Sequence, residues 1–297
     1  MVTLRQLEVF QTVVRIGSVT AAADALYVSQ PTVSDTLRAL EHELGEPLFT
    51  GSRRARQLTR AGEVYKRFVD RALAAVDDGS RAVGDLGETV GGQLSLLAVT
   101  TAGEHLMPPV IHEFLTRYPE VEVTLMVANR AGARTPIAES VIDLAIMGRP
   151  PVGVSVESLR IGPNRLMLVA APHHVLAGPD RTRAWPETTL LLREEGSGSR
   201  AAAEEAVDEL GLAPSRTMVI GSNAALLAAV REGLGVAVVP EVAVTADLSA
   251  GRLVAVDVPG FPLERDWNAV WPADRPLFRS AQAFVETLVE FGEALPG

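Results

Sequence analysis

Apolar residues at Leu4, Leu7, Phe10, Val13 and Val14 recur at the spacing of an amphipathic helix, and Gly17 ends it. Ser18 caps a short Ala-rich helix over residues 20–26, whose small side chains let a partner helix approach closely. Residues 27–29 leave room only for a sharp corner. Ser29 then caps a third helix with Pro31 in its first turn, where the missing N–H costs little. That helix is expected to bury Val33, Leu37, Leu40 and Leu44 and to show Gln30, Thr32, Ser34, Asp35, Arg38 and His42 on its other face. Pro47-Leu48-Phe49 supplies a docking hydrophobe, and residues 50–58 read as a short basic hairpin. A steep pair of helices followed by a wing fits a helix-turn-helix, although a plain three-helix domain with a solvated Arg loop has the same periodicity.

From Thr59 the helical pattern continues to about Gly87. Tyr65, Val69, Ala72, Val76, Gly79, Val83 and Leu86 step alternately by four and three, the seam of a coiled coil. The seam predicts dimerisation; the alternative is a long helix packed on its own chain.

After Gly91-Gly92 the texture changes. Strands are expected at 94–99, 121–127 and 143–147, with helices at 103–118 and 135–141. The second half repeats the scheme, with strands at 166–171, 189–192, 218–220 and 236–239 and helices at 199–210 and 223–232. Strands at 254–258 and 265–271 follow, and a helix over 278–291 closes the chain. Regular β/α alternation predicts parallel sheets in two α/β lobes. Ligands in such sheets sit beyond the carboxyl ends of strands. Thr100, Thr101 and Asn129 stand there, as do Ser197, Ser199 and Arg200 in a Gly-rich turn and Asn223 at a helix start. Each hydroxyl or amide could simply cap a helix, but converging on one cleft they would hold a small anion, to which Arg200 adds charge.

Composition narrows the function. The 297 residues suggest two or three domains at roughly 100–200 residues each. No apolar run approaches the ~18–20 residues that cross a bilayer, and the charged start MVTLRQLEVF does not read as a signal peptide, so a cytoplasmic location with no membrane partner is expected. Without cysteine there is no disulfide, thiolate metal site or Cys nucleophile. Neither GxSxG, a strand-linked GxGxxG nor a P-loop occurs, and His173-His174 lacks further metal-ligating spacing, so neither an enzyme, a metal nor a cofactor is expected. The net charge of −10 argues against a polyanionic partner only if charge is evenly spread. Residues 1–72 carry ten bases against eight acids, and residues 52–71 alone hold Arg53, Arg54, Arg56, Arg60, Lys66, Arg67 and Arg71 against Glu63 and Asp70. A basic module precedes an acidic body.

Gly17-Ser18-Val19-Thr20-x-Ala22-Ala23, Val28-Ser29-Gln30-Pro31-Thr32-Val33-Ser34, Leu40-Glu41-x-Glu43-Leu44-Gly45-x-Pro47-Leu48-Phe49 and Leu58-Thr59-x-Ala61-Gly62 resemble the winged helix-turn-helix of LysR-type transcriptional regulators, in order and at family spacing. Leu106-x-Pro108, Tyr118-Pro119-x-Val121, Asp143-Leu144-Ala145-Ile146 and Gly221-Ser222-Asn223 with Gly233-Leu234-Gly235-Val236 resemble the same family's effector domain, and the Gly-Ser-Gly-Ser-Arg turn is most like regulators of carbon-fixation or sulfur-assimilation operons. The resemblance implies a multi-domain chain: a winged helix-turn-helix over 1–58, a linker helix for dimerisation over 59–90, and a two-lobed α/β effector domain of periplasmic-binding-protein architecture over 91–297. Lobe one is expected at 91–162 and 267–297, lobe two at 163–266, with crossovers near 161–166 and 266–271.

In this reading Ser29, Gln30, Pro31, Thr32, Ser34, Asp35 and Arg38 lie at the groove of double-stranded operator DNA, and Arg53, Arg54 and Arg56 meet the backbone or the minor groove. Asp35 departs from the usual family residue and is either a specificity residue or a partner for Arg38. The resemblance further implies a small-molecule effector, assembly as a dimer of dimers and contact with RNA polymerase. The competing class is a small-molecule-binding module without specific DNA readout.

Overall fold

A computed structural model of the chain describes residues 1–52, 55–84, 87, 89–178 and 185–293. They form two units, Met1–Gly87 with Glu139–Val141, and Glu88–Ala138 with Ile142–Gly297.

In the first unit α1 (Leu4–Ile16) starts on a capping box between Thr3 and Gln6 and ends at Gly17, whose φ of 74° suits a residue without Cβ. Ser18 caps α2 (Val19–Ala25), Ser29 caps α3 (Gln30–Leu44), and β1 (Phe49–Ser52) pairs antiparallel with β2 (Ala55–Leu58). Phe10 is fully buried between the rings of Phe49 at 5.3 Å and Tyr65 at 5.5 Å, among Val13, Val33, Leu37 and Leu40.

Thr59 opens α4 (Arg60–Gly84) by accepting from the Gly62 N–H at 3.0 Å. Gly62 is required by close approach, since a Cβ there would lie 2.2 Å from the Leu48 carbonyl oxygen. The first turns of α4 depart from the expected seam. Val69 is 2% exposed and joins the half-buried Tyr65 and Leu73 on the core of its own unit, so the expected dimerisation positions Tyr65 and Val69 are turned inward. The outward apolar residues are Val64, Phe68, Val76 and Val83, with Ala72 half-buried. Leu86 lies outside the described residues.

The second unit holds two lobes. Lobe one comprises β3 (Gly92–Val99), one π-helical turn (Ala102–Leu106), α5 (Met107–Arg117), β4 (Val121–Ala128), α6 (Arg130–Ala138), β5 (Leu144–Met147) and β6 (Val156–Pro163). Lobe two follows with β7 (Leu166–Ala170), β8 (Thr189–Leu192), α7 (Gly198–Glu209), β9 (Arg216–Val219), α8 (Asn223–Arg231), β10 (Ala237–Pro240), α9 (Glu241–Ser249) and β11 (Val254–Ala255). The chain then returns through β12 (Asp266–Pro272) to α10 (Arg279–Glu293). Lobe one has the sheet order β4-β3-β5-β12-β6.

The expected all-parallel sheets are mixed. β3, β4 and β5 are parallel, whereas the returning β12 runs antiparallel to β5 and β6, and β7 runs antiparallel to β10 and β11. In lobe two β8 and β9 are parallel, and a bridge between Leu190 and Val236 joins β8 to β10. The two crossovers lie side by side, with the Asn164 N–H donating to the Arg265 carbonyl at 2.7 Å and the Leu166 N–H to the Leu263 carbonyl at 3.0 Å. Phe114 and Phe284, edge to face at 5.0 Å, centre the core of lobe one. Leu168, Leu190 and Val236 lie in that of lobe two.

Candidate nucleic-acid interface and ligand cleft

The α2–α3 corner presents Ser29, Pro31, Thr32, Asp35 and Arg38 to solvent, with Gln30 half-buried. Ser29 Oγ accepts from the Thr32 N–H at 3.3 Å and lies 2.8 Å from Thr32 Oγ1, so the residue that starts the helix also orders its first turn. Ser34 does not share this face: at 7% exposure it is turned inward beside Val33 and Leu37, away from the groove position expected of it. Asp35 accepts from Arg38 at 2.9 Å with both side chains about two-thirds exposed, the pairing that the sequence left as one of two roles for this acid. Tyr27, 96% exposed with a φ of 53°, stands at the same corner; a solvated aromatic at a turn carries no periodicity by which sequence reading could find it.

In the hairpin Arg56 donates its backbone N–H to Gly17 at 3.0 Å, and its guanidinium carbon lies 5.8 Å from the centre of the Phe49 ring. It is half-buried and braces the wing on the domain. Arg53 and Arg54 lie outside the described residues.

In the second unit the strand ends converge as expected. A cavity of about 100 Å³ opens between the lobes, at the carboxyl ends of β3, β4, β5, β8 and β10. Thr100, Thr101, Asn129, Ser197 and Ser199 all line it. Two of them are freed from capping: neither Thr101 nor Ser197, each 7% exposed, hydrogen-bonds to the first turn of the helix it precedes. Ser197 Oγ lies 3.0 Å from Ser199 Oγ instead, and the start of α7 at Gly198 and Ser199 faces the cavity, a disposition that favours an anion.

Two expected residues stand elsewhere. Arg200 donates to Glu204 at 2.8 Å and lines grooves outside the cleft, because its place on α7 turns it away from Ser199. Asn223 lies behind the wall, where its amide donates to Thr101 Oγ1 at 3.3 Å and Glu104 Oε2 at 2.7 Å and accepts from Arg193.

The cationic lining was not legible in sequence. Arg130, Arg149, Arg193 and Arg265 all border the cavity, and Glu205 is the one carboxylate among the described lining residues. Arg193, 5% exposed, follows β8 directly and is held by Asn223 and by Glu194 at 2.9 Å. Burial resists ionisation of Glu194, but hydrogen bonds from Arg193, a backbone N–H and Asn129 outweigh it and hold the carboxyl below its usual pKa. Asn164 contributes a buried Oδ1 that accepts no hydrogen bond within the protein. The signal available was Arg193 itself, a charge ending an apolar strand, where only a paired or ligand-binding guanidinium is stable. No group of three or more His, Cys, Asp or Glu capable of holding a metal occurs among the described residues, and none of their helices is long and apolar enough to cross a membrane.

Comparison with known proteins finds relatives of both units. Residues 4–63 match the bacterial regulatory helix-turn-helix protein, lysR family, and residues 87–293 match the LysR substrate binding domain. The HTH-type transcriptional regulator CbbR of Rhodospirillum rubrum is 36% identical over 285 residues, 96% of this chain and 95% of that protein. A RuBisCO operon transcriptional regulator of Allochromatium vinosum is 36% identical over 290 residues, with the same coverages. The structure of the Synechocystis PCC6803 CcmR regulatory domain in complex with 2-PG superposes with a TM-score of 0.64 at 28% identity, covering 69% of this chain and 100% of that one.

Proposed function

The chain belongs to the LysR family of bacterial transcriptional regulators, and from that premise we propose that its effector is a compact acid carrying two anionic groups, of the kind represented by 2-PG. The protein is a DNA-binding regulator, not an enzyme, and a small metabolite modulates it. The observation that carries the finer reading is the cleft: four guanidinium groups and the start of α7 surround about 100 Å³, enough charge for two acidic groups and little room for more. Its relatives regulate RuBisCO operons, and we assign this chain to an operon of that type.

Ser29, Gln30, Pro31, Thr32, Asp35 and Arg38 read the major groove, while Arg53, Arg54 and Arg56 serve the wing. Reading two half-sites requires a dimer. We place its seam on the outward residues of α4, Phe68, Ala72, Val76 and Val83, continued by Leu86. Dimers pair into tetramers in the cytoplasm, and effector binding re-spaces the DNA-binding pairs and alters contact with RNA polymerase. Coupling of this kind is typically ~1–3 kcal/mol, a few-fold to about a hundredfold in affinity.

The test is a mobility-shift titration on the DNA upstream of the neighbouring, divergently oriented gene, with and without 2-PG and over a range of salt. Binding is expected to fall by about 0.9 log units per log unit of salt for each phosphate contacted, and 2-PG is expected to change operator affinity at least about threefold. Identical titrations with and without 2-PG refute this effector.

A further inference from the structure

We propose that Glu205 is a built-in counter-ion of the cleft, which occupies the guanidinium pair Arg149 and Arg265 until the second anionic group of the ligand displaces it. The inference rests on reading the cleft as an acid-binding site, and it concerns how that site selects and responds to its ligand. Glu205 Oε2 lies 3.1 Å from Arg149 Nη2 and 3.4 Å from Arg265 Nη2, and all three side chains line the cavity. The carboxylate therefore meets the two cations as an acidic ligand would.

The four cations are not equivalent. Arg193 is buried and committed to Glu194 and Asn223, so it is a fixed part of the wall. The ion pairs of Glu205 are its opposite: Glu205 is 38% exposed, Arg149 53% and Arg265 28%, and contacts so screened by water are weak enough to exchange. A ligand with one acidic group, held near Arg193, Ser197 and the start of α7, is repelled by the Glu205 charge but need not displace it. A ligand with two must compete with it. Glu205 thus disfavours every acid to some degree and leaves a net gain to those with a second anionic group strong enough to replace it.

Position adds a consequence. Arg149 follows β5 in lobe one, whereas Glu205 sits on α7 of lobe two, six residues beyond Ser199. Their ion pair ties the lobes across the cleft in the absence of ligand. Displacement hands the tie to the ligand, so that occupancy is sensed by the helix whose first residues line the same cavity.

The test compares the full-length wild type, Glu205→Gln and Glu204→Gln by calorimetric titration with 2-PG and, separately, with inorganic phosphate. Glu204 is the control, because it stands on the same helix and carries the same charge but bonds Arg200 outside the cleft. Glu205→Gln is expected to bind 2-PG and phosphate about three- to fivefold more tightly, while Glu204→Gln stays within about twofold of wild type. Unchanged or weaker binding in Glu205→Gln, equal tightening in Glu204→Gln, or absence of binding of either anion to any of the three overturns the proposal. If phosphate tightens as expected while 2-PG binds none of them, the counter-ion stands and the 2-PG reading falls. If 2-PG binds all three alike, the effector reading stands and the counter-ion falls.

Discussion

Arg193 and Arg200 stand seven residues apart around one Gly-rich turn, and burial separates their roles. A guanidinium at a helix start looks from sequence like the anion ligand, and Arg200 has that position. On α7, however, it is turned to Glu204, four residues on, and the two form a helix-surface pair of small energetic value. Arg193 ends a buried strand and has its fork fixed from two sides, which preorganises it for a carboxylate or phosphate. Arg200→Ala is therefore expected to leave 2-PG affinity within about twofold of wild type. Arg193→Lys keeps the charge but loses the planar fork, and should weaken binding about tenfold in the same calorimetric titration. The reverse ranking would move the anion site out of the cleft. Ser34 and Asn223 teach the same lesson: each has the right chemistry, and each is turned by its helix into the protein.

At the scale of the element, α4 shows what periodicity determines and what it leaves open. A four-three pattern establishes that a helix has an apolar stripe, but α4 carries apolar residues at both the 65/69 and the 64/68 phases over its first turns, and these lie on different sides. The first unit claims Tyr65 and Val69, because Phe10 and Phe49 present a core that α4 must cover. What remains outward is Val64 and Phe68 over the first turns and Val76 and Val83 further along the helix, where the first unit no longer covers the expected seam. Phe68, 59% exposed, is the large apolar group whose exposure a partner helix would relieve. Phe68→Glu is expected to shift the protein to a smaller oligomer by light scattering with little change in thermal midpoint. Val69→Ala should instead lower stability by about 2 kcal/mol, with the oligomer retained in the same experiment. Loss of the oligomer in Val69→Ala but not in Phe68→Glu would return the seam to its sequence-derived phase.

For the whole molecule, charge and topology divide the labour. The net −10 conceals a first unit whose hairpin and early α4 are basic and a second unit that is acidic overall, so DNA affinity belongs to the first and ligand affinity to the second. The second unit encloses its own hydrophobic cores around both lobes. Residues 88–297 produced alone should accordingly fold, bind 2-PG within about twofold of the full chain, and show no operator binding in a mobility shift. A fragment that retained specific DNA binding would place readout in the acidic body.

Sequence alone determined the order of the elements, the caps at Ser18 and Ser29, the winged hairpin, the two lobes and the strand ends at which Thr100, Thr101, Asn129, Ser197 and Ser199 meet, because these depend on local periodicity and on residues close in the chain. The tertiary structure decided the mixed sheets, the missed β6 and α9, the phase of α4 and the four-arginine lining. β12 runs against its neighbours because it returns from the other lobe, a fact no local pattern encodes. The short α9 lacks a clear polar face, so periodicity could not find it. Arg130, Arg149, Arg193 and Arg265 are scattered over 136 positions of sequence and become one electrostatic site only where five strands end together. Charge acts through space, and the distance between charges is set by the fold.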